Sequence, residues 1–320
     1  MASRNGISLP SRDEDPSFAS VAILLARYDR FTSLDDFLHY YFIGMSCLIH
    51  TKDFEELAYD YFSRANADGV IHAEVFFDPQ AHTGRGVSYE TAIGGFTTAC
   101  HRAREDYGIT SLLIPCFLRH LPVADAEVTF RIMKRDLETR TLAGIGLDSS
   151  EKGFPPSAWK AIYGQAGALG VRRTAHAGEE GPVEYIREAI QELGVERIDH
   201  GIRLVEDQDL MRELARKRLM VTMCPLSNVK LKCVKALSDL PIRQFIDNHV
   251  RFSLNGDDPA YFGGYVLDNY CAVQEAFDLT EQDWRWITLG AIDGSWCDER
   301  RKESMRGQVE KIFLDFQNYA

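Results

Sequence analysis

The stretch that decides the fold reads VRRTAHAGE from Val171 to Glu179, where a short run with strand character leads into a histidine, two small residues and a glutamate. The same arrangement returns twice. IDHG at 198–201 ends another short run, and NGDDPA at 255–260 follows the apolar segment 252–254. In a (β/α) barrel, functional groups stand at the C-terminal ends of strands. The three segments therefore predict a hydrolytic metal site on a barrel scaffold.

Short apolar runs alternate with longer amphipathic runs along the rest of the chain. We predict seven strands, at Val70–Phe77, Ser111–Leu118, Ala143–Leu147, Val171–Ala175, Arg197–His200, Leu219–Cys224 and Val250–Leu254. Helices are predicted at Asp53–Asp68, Pro182–Leu193, Asp207–Lys217 and Leu240–Asn248, and residues 18–51 also have a helical pattern. Strands that alternate with helices indicate a parallel sheet.

This alternation favours one (β/α) barrel over an open doubly wound sheet. No linker rich in Pro, Ser or Gly divides the 320 residues, so we expect a single domain over residues 1–320. No G-x-G-x-x-G follows a predicted strand, which argues against a dinucleotide-binding fold. A barrel of this type has eight strands, and none is visible before Val70. The predicted fold is therefore an α/β, TIM-type (β/α)8 barrel that lacks strand one.

The composition excludes several classes of partner. A net charge of −12 without a basic stripe argues against DNA, RNA and anionic membranes. The seven cysteines form no C-x-x-C pair, which is typical of free thiols in a reducing compartment. The N-terminus has no apolar signal-peptide region. We expect a cytoplasmic protein, with the nucleus as a second location, and the sequence leaves the oligomeric state open.

His176 and Glu179 are the first candidates for chemistry. A neutral imidazole is a good zinc ligand, although a lone histidine at a strand end is more often a hydrogen-bonded structural residue. Ala177 and Gly178 allow a sharp turn that returns Glu179 to the same cleft, where a carboxyl can transfer protons. The alternative for Glu179 is a solvated loop acid, and we expect Glu180 to be one.

His200, Asp257 and Asp258 complete the candidate set. His200 is interpreted as a base or hydrogen-bond donor beside an attacking water, with a core histidine as the alternative. Two adjacent carboxylates after an apolar strand are costly to bury without partners, and a cation beside Asp257 would remove that cost. Asp258 could instead cap a helix that begins at Pro259, but a cap does not account for Asp257.

In these segments the sequence resembles the adenosine/adenine deaminase family of the amidohydrolase superfamily, and its adenine deaminase branch in particular. The motifs His176–Glu179, Asp199–Gly201 and Asp257–Pro259 match in order and spacing, and the similarity runs through nearly the whole chain. Further segments that carry it are Phe77–Thr83, Gly146–Glu151, Cys224–Leu231 and Tyr261–Tyr265.

The resemblance implies a (β/α)8 barrel that binds one zinc ion, with His176 and Asp257 as ligands. It implies that Glu179 protonates a ring nitrogen of the purine, that His200 orients or deprotonates the zinc-bound water, and that Asp258 binds another ring nitrogen. The implied reaction converts adenine to hypoxanthine and ammonia, as in purine salvage. A small purine base is then the expected partner.

One part of the family pattern is missing. The family begins with a strand that carries an H-x-H pair of zinc ligands, and no two of the nine histidines of this sequence are separated by one residue. We therefore expect a form that lacks this segment. Two alternatives to adenine deamination remain: a purine-binding or regulatory protein without activity, and a deaminase of adenosine or of an N6-substituted adenine.

Overall fold

Seven parallel strands form one sheet in which every strand pairs with its neighbours in the chain, in the order β1-β2-β3-β4-β5-β6-β7. The computed structural model describes residues 1–319. The strands are β1 (His72–Phe77), β2 (Thr110–Leu118), β3 (Gly144–Asp148), β4 (Arg172–Ala177), β5 (Arg197–His200), β6 (Met220–Met223) and β7 (Arg251–Leu254). All seven strands expected from the sequence are present.

Helices connect the strands and cover the outside of the sheet. They are α1 (Val21–Tyr28), α2 (Leu34–Ser46), α3 (Thr51–Ala67), α4 (Pro79–Thr83), α5 (Tyr89–Tyr107), α6 (Val123–Glu138), α7 (Lys160–Ala168), α8 (Val183–Glu188), α9 (Gln208–Lys217), α10 (Pro225–Lys230), α11 (Ile242–Asp247), α12 (Pro259–Phe262), α13 (Val266–Phe277), α14 (Glu281–Gly294) and α15 (Glu299–Tyr319). Short 3-10 turns lie at Pro16–Ala19, Pro156–Trp159, Ile202–Glu206 and Leu237–Asp239, and a π-helical turn at Ala189–Leu193 extends α8.

The predicted helices are confirmed, with small shifts at their ends. Helix α8 begins one residue after Pro182, and the π-helical turn that follows it ends at Gly194, whose φ of +62° suits glycine. Helix α9 is capped by the Asp207 side chain, which accepts the backbone N–H of Leu210. The segment 18–51 is helical as expected, in the form of α1 and α2.

The core lies where the sheet meets its outer helices. Ile198, Val221 and Phe252 on three consecutive strands are fully buried. Helix α9 buries Leu210 and Leu214 on one face, at the spacing that sequence periodicity indicated. Within residues 1–319, no helix combines the length and the apolar character that a membrane span requires.

The sheet curves into a half-barrel whose two edge strands are β1 and β7. No other strand among residues 1–319 pairs with the outer edge of either one. Residues of both edges, such as Glu74 and Phe76 on β1 and Ser253 on β7, line the same cavity. The parallel α/β fold is thus confirmed, and the strands of the described chain form a seven-stranded half-barrel.

Helices α1 and α2 pack across the C-terminal end of the sheet. Phe31, Phe37 and Tyr40 form a separate buried aromatic cluster with Phe262 of α12. The ring centroids of Phe37 and Phe262 lie 4.9 Å apart. The helices that precede β1 therefore cover the mouth of the half-barrel.

Close packing of α3 against α5 depends on Gly95. A Cβ atom at this position would contact the carbonyl oxygen of Thr51 and would lie 2.6 Å from Cβ of Phe54. At the neighbouring Gly94, a Cβ would meet only the Thr51 methyl group, at 3.6 Å. The first contact needs the helices to move apart, whereas the second is ordinary van der Waals contact.

We expect Gly95→Ala to lower the free energy of unfolding by about 1–3 kcal/mol, because the added methyl group overpacks the interface. Gly94→Ala is the matched control. It should leave stability unchanged or raise it by up to ~1 kcal/mol, since alanine favours the helix. Urea unfolding of both variants measures the difference. Equal stabilities would show that the helices separate at no cost.

Candidate metal and active site

The five residues selected from the sequence line one cavity of about 690 Å³, which extends along β1 from Ile71 to Asp78. His176 lies on β4, His200 is the last residue of β5, and Asp257 and Asp258 follow β7. Glu179 lies two residues beyond the end of β4. The structure therefore brings all five together. His176 is inside its strand rather than after it, because the parallel pairing of β4 with β5 continues through His176 and Ala177.

His176, His200 and Asp257 form a candidate metal centre. One potential ligand atom from each residue lies within 4.8 Å of the others. Nε2 of His200 is 3.8 Å from Oδ2 of Asp257, and the two imidazole centroids are 4.9 Å apart. Two imidazoles and a carboxylate are a donor set that zinc accepts. The chemistry and the spacing of these residues therefore fit a divalent metal.

Two of these three residues have a left-handed backbone conformation. His200 has a φ of +63° and Asp257 a φ of +56°. This region costs roughly 1–2 kcal/mol for a residue other than glycine, and such residues concentrate at functional sites. Both turn sharply at the end of a strand, which directs the imidazole and the carboxylate into the cavity.

The carboxylate of Asp199 lies beside the imidazole of His176. This carboxylate accepts hydrogen bonds from the hydroxyls of Thr174, at 2.6 Å, and Thr222, at 2.8 Å. The same carboxylate lies 3.6 Å from Nδ1 of His176, a buried nitrogen that has no hydrogen-bond partner in the described chain. The carboxylate therefore lies near this nitrogen without a hydrogen bond to it.

The pKa values of His176 and His200 shift in opposite directions, because nearby carboxyls outweigh burial only at His200. Burial and the neighbouring His200 lower the pKa of His176 to about 3, so its ring is neutral and able to bind a metal. For His200, burial alone would lower the pKa, but the carboxyls of Glu179 and Asp257 outweigh it and raise the pKa. The Nδ2 amide nitrogen of Asn228 lies 3.1 Å from Nδ1 of His200.

Glu179 is suited to proton transfer. The residue is only 2% exposed, and burial raises the pKa of its carboxyl to about 7 against the opposing influence of His200. Its Oε1 lies 3.5 Å from Nδ1 of His200 and accepts a hydrogen bond from the thiol of Cys233 at 3.8 Å. At neutral pH this carboxyl exists in both protonation states.

Asp258 is a half-buried acid whose side chain does not cap the helix that follows it. It occupies the position before α12, but its side chain makes no capping hydrogen bond. Burial, with the adjacent Asp257 charge, raises the pKa of Asp258 well above its ordinary value. A neutral carboxyl can donate a hydrogen bond into the cavity.

The expectation for Glu180 was wrong. Its carboxylate is largely shielded, with 6% of the side chain exposed, and it lies 3.3 Å from Nζ of Lys152. The backbone N–H of Glu180 donates a hydrogen bond to Glu151, and the Glu180 side chain lies next to Lys152. This arrangement removes the carboxylate from solvent.

Sequence reasoning assigned no role to Glu151, Asn228 and Asp148. Glu151 accepts hydrogen bonds from the loop that carries Glu179, Asn228 contacts His200, and Asp148 lines the cavity at the end of β3. The rule that selected His176 and Asp257 would also select Asp148, since this residue directly follows the predicted strand Ala143–Leu147. The segments Gly146–Glu151 and Cys224–Leu231, which contain these three residues, served only as evidence of the family resemblance.

A profile of the adenosine deaminase family matches residues 1–312. The adenine deaminase of Schizosaccharomyces pombe is 51% identical over 318 residues, which cover 99% of this chain and 86% of that protein.

The chain belongs to the adenosine deaminase family. This family consists of metal-dependent enzymes. The resemblance noted in the sequence is thereby confirmed.

Solved structures of related proteins share the fold of this adenosine deaminase family member. The adenine deaminase of Arthrobacter aurescens superposes with a TM-score of 0.89 at 40% identity, over 97% of this chain and 92% of that one. An amidohydrolase from Burkholderia ambifaria, solved with bound Zn, gives a TM-score of 0.83 at 28% identity, over 99% and 86%.

The raised pKa of Glu179 predicts a pH dependence of stability. Its pKa of about 7 in the folded protein exceeds the ordinary value of 4.5. The folded state therefore binds the proton more tightly, and stability falls as the pH rises from about 4.5 through 7. In Glu179→Gln this loss is absent. We expect the variant to be more stable than the parent at pH 8 by on the order of 1–3 kcal/mol, and similar to it at pH 5.

Urea unfolding at both pH values, with a metal chelator present, measures this effect. Glu180→Gln is the control in the same loop, because its carboxylate lies beside Lys152. Glu179→Gln and parent curves that stay parallel between pH 5 and pH 8 would contradict the assignment.

Proposed function

We propose that this protein is a zinc-dependent hydrolase that converts adenine to hypoxanthine and ammonia. The observation that carries the proposal is the convergence of His176, His200 and Asp257 beside the buried acid Glu179. The adenine deaminases that it matches over nearly their whole length support adenine as the substrate.

His176 and Asp257 are the proposed metal ligands. His176 is neutral because its pKa is low, and the Asp257 carboxylate supplies a negative charge. A zinc ion held there would lower the pKa of a bound water from 15.7 to roughly 7. The left-handed backbone of Asp257 keeps its carboxylate directed at the imidazoles.

Glu179 is the proposed proton donor. Deamination of an aromatic ring requires that a ring nitrogen gain a proton as the neighbouring carbon is attacked. The raised pKa of Glu179 keeps this carboxyl protonated in a fraction of the molecules at neutral pH. A positioned acid contributes ~10²–10⁴ in rate. The buried setting excludes bulk water from the carboxyl.

His200 and Asp258 are the proposed contacts of the attacking water and of the purine ring. His200 lies between Glu179 and Asp257, so its imidazole can accept a proton from the attacking water or orient it. Burial and the Asp257 charge raise the pKa of Asp258, and in its protonated form this carboxyl would donate a hydrogen bond to a second ring nitrogen. Leu34, Phe37 and Tyr41 of α2 line the same cavity.

We further propose that the complete fold is a (β/α)8 barrel in which one more parallel strand lies between β1 and β7. Both outer edges have unpaired backbone groups, and the cavity extends between them. An H-x-H pair on that strand would add two ligands to His176 and Asp257. Catalytic zinc sites have at least three protein ligands, so we expect this strand to be needed for tight metal binding.

The test is ammonia release from adenine, adenosine and N6-methyladenine, with zinc content measured on the same samples. It uses the 320-residue chain and a chain extended at its N-terminus by an H-x-H strand. We expect adenine to react fastest and the extended chain to hold one zinc. Adenine binding without ammonia release from any of the three would favour a non-catalytic purine-binding protein instead.

In the active chain, His176→Ala and Asp257→Ala should each reduce deamination by more than ~10²-fold, because loss of an outer-shell partner alone costs ~10–100-fold. Zinc content should fall in parallel. His249→Ala is the control, since this exposed histidine packs beside Trp286 and does not line the cavity. Zinc binding and activity that survive either site substitution would refute the ligand assignment.

A further inference from the structure

Glu151 is buried beside the site but takes no part in the proposed chemistry. It lies three residues beyond the end of β3 and is 1% exposed. Its Oε1 accepts the backbone N–H of Gly178 at 2.6 Å. Its Oε2 accepts those of Glu179 at 3.0 Å, Glu180 at 2.8 Å and Gly181 at 2.7 Å. Four consecutive amides thus point at one carboxylate.

Such a convergence is an anion-binding concavity of the backbone, and here the anion belongs to the protein itself. The loop reaches this shape through Gly178, whose φ is +72°. At Gly181 a Cβ atom would lie 2.7 Å from Cδ of Glu151. The glycines at both ends of the loop therefore permit the approach of the carboxylate.

The loop that Glu151 holds is the one that carries Glu179. The amide of Glu179 is itself one of the four donors, so its backbone is fixed relative to the end of β3. From this backbone the Glu179 side chain reaches His200, at 3.5 Å. In the absence of the Glu151 carboxylate, four neighbouring amides lose their acceptor, while the Gly178 carbonyl still accepts the backbone N–H of Arg203 at 3.0 Å and the Glu180 carboxylate still lies beside Lys152.

We propose that Glu151 is the positioning residue for Glu179: its carboxylate gathers the four amides and thereby holds the Glu179 carboxyl against the reacting base. The inference rests on the proposed function, in which Glu179 donates a proton. Glu151 itself touches neither the candidate metal ligands nor the cavity.

The experiment compares Glu151→Gln with the parent enzyme, using adenine and the zinc-loaded chain. A glutamine has only one acceptor oxygen, and its NH₂ group would face backbone N–H donors. A misplacement of about 1 Å can cost 10²-fold, so we expect kcat to fall by ~10²-fold while KM and zinc content change little. Glu188→Gln is the matched control, because the Glu188 carboxylate accepts a single backbone N–H, from Ser157, at the surface.

A double-mutant cycle separates positioning from a general structural effect. If Glu151 acts through Glu179, Glu151→Gln should cause no further loss in a Glu179→Gln background. Full additivity of the two losses would overturn the proposal. Glu151→Ala supplies a second variant in which the concavity is empty, and formate should restore part of its kcat. No recovery at any formate concentration, in a protein that still folds and binds zinc, would also count against the proposal.

A readout that does not depend on activity keeps this inference distinct from the proposed function. Amide hydrogen exchange of Gly178–Gly181 should accelerate in Glu151→Gln and not in Glu188→Gln. Unchanged exchange in Glu151→Gln would overturn the positioning role even if adenine is deaminated. Faster exchange in a protein that deaminates no purine would instead support the role of Glu151 in holding the loop and refute the proposed function.

Discussion

Parallel pairing of neighbouring strands is the constraint on which the rest of the structure depends. It sets His176 opposite Asp199, and Asp199 opposite Thr222. Because side chains alternate between the two faces of a strand, a slip of one residue would turn each of these groups to the other side. The register therefore decides both that the strand ends lie together and that the same face of each strand meets the cavity.

Acidic residues crowd this end of the sheet, and the fold accommodates them in three ways. Asp199 is stabilised as a carboxylate by two threonine hydroxyls. Glu151 is surrounded by backbone amides. Glu179 and Asp258 have few such donors, and burial raises the pKa of each. Two of these acids thus have hydrogen-bond donors around their carboxyl groups, whereas burial raises the pKa of the other two, because their surroundings differ.

The sequence predicted the strands and the central residues of the site because both follow local rules. Apolar runs gave seven correct strands, and the position of polar residues after them identified His176, Glu179, His200, Asp257 and Asp258. The role of Glu151 was not predicted, because its partners are backbone amides 27–30 residues away. Every residue other than proline has a backbone N–H, so the sequence does not indicate which ones meet a carboxylate. The burial of Glu180 escaped for the same reason, since the loop bends toward Glu151. The cover that α2 forms over the cavity is a tertiary arrangement that helical periodicity cannot specify.

The strand order also bears on how the chain reaches its folded state. Each strand from β2 to β7 pairs with the one that precedes it, so the sheet grows by contacts between segments that are near in sequence. Such contacts form at a lower cost in loop entropy than distant ones. In a closed barrel, one further contact would join the first strand of the sheet to its last. The described chain contains no such contact between β1 and β7. The seven-stranded half-barrel therefore consists of pairings between segments that are close in sequence, and none of them requires the two ends of the described chain to meet.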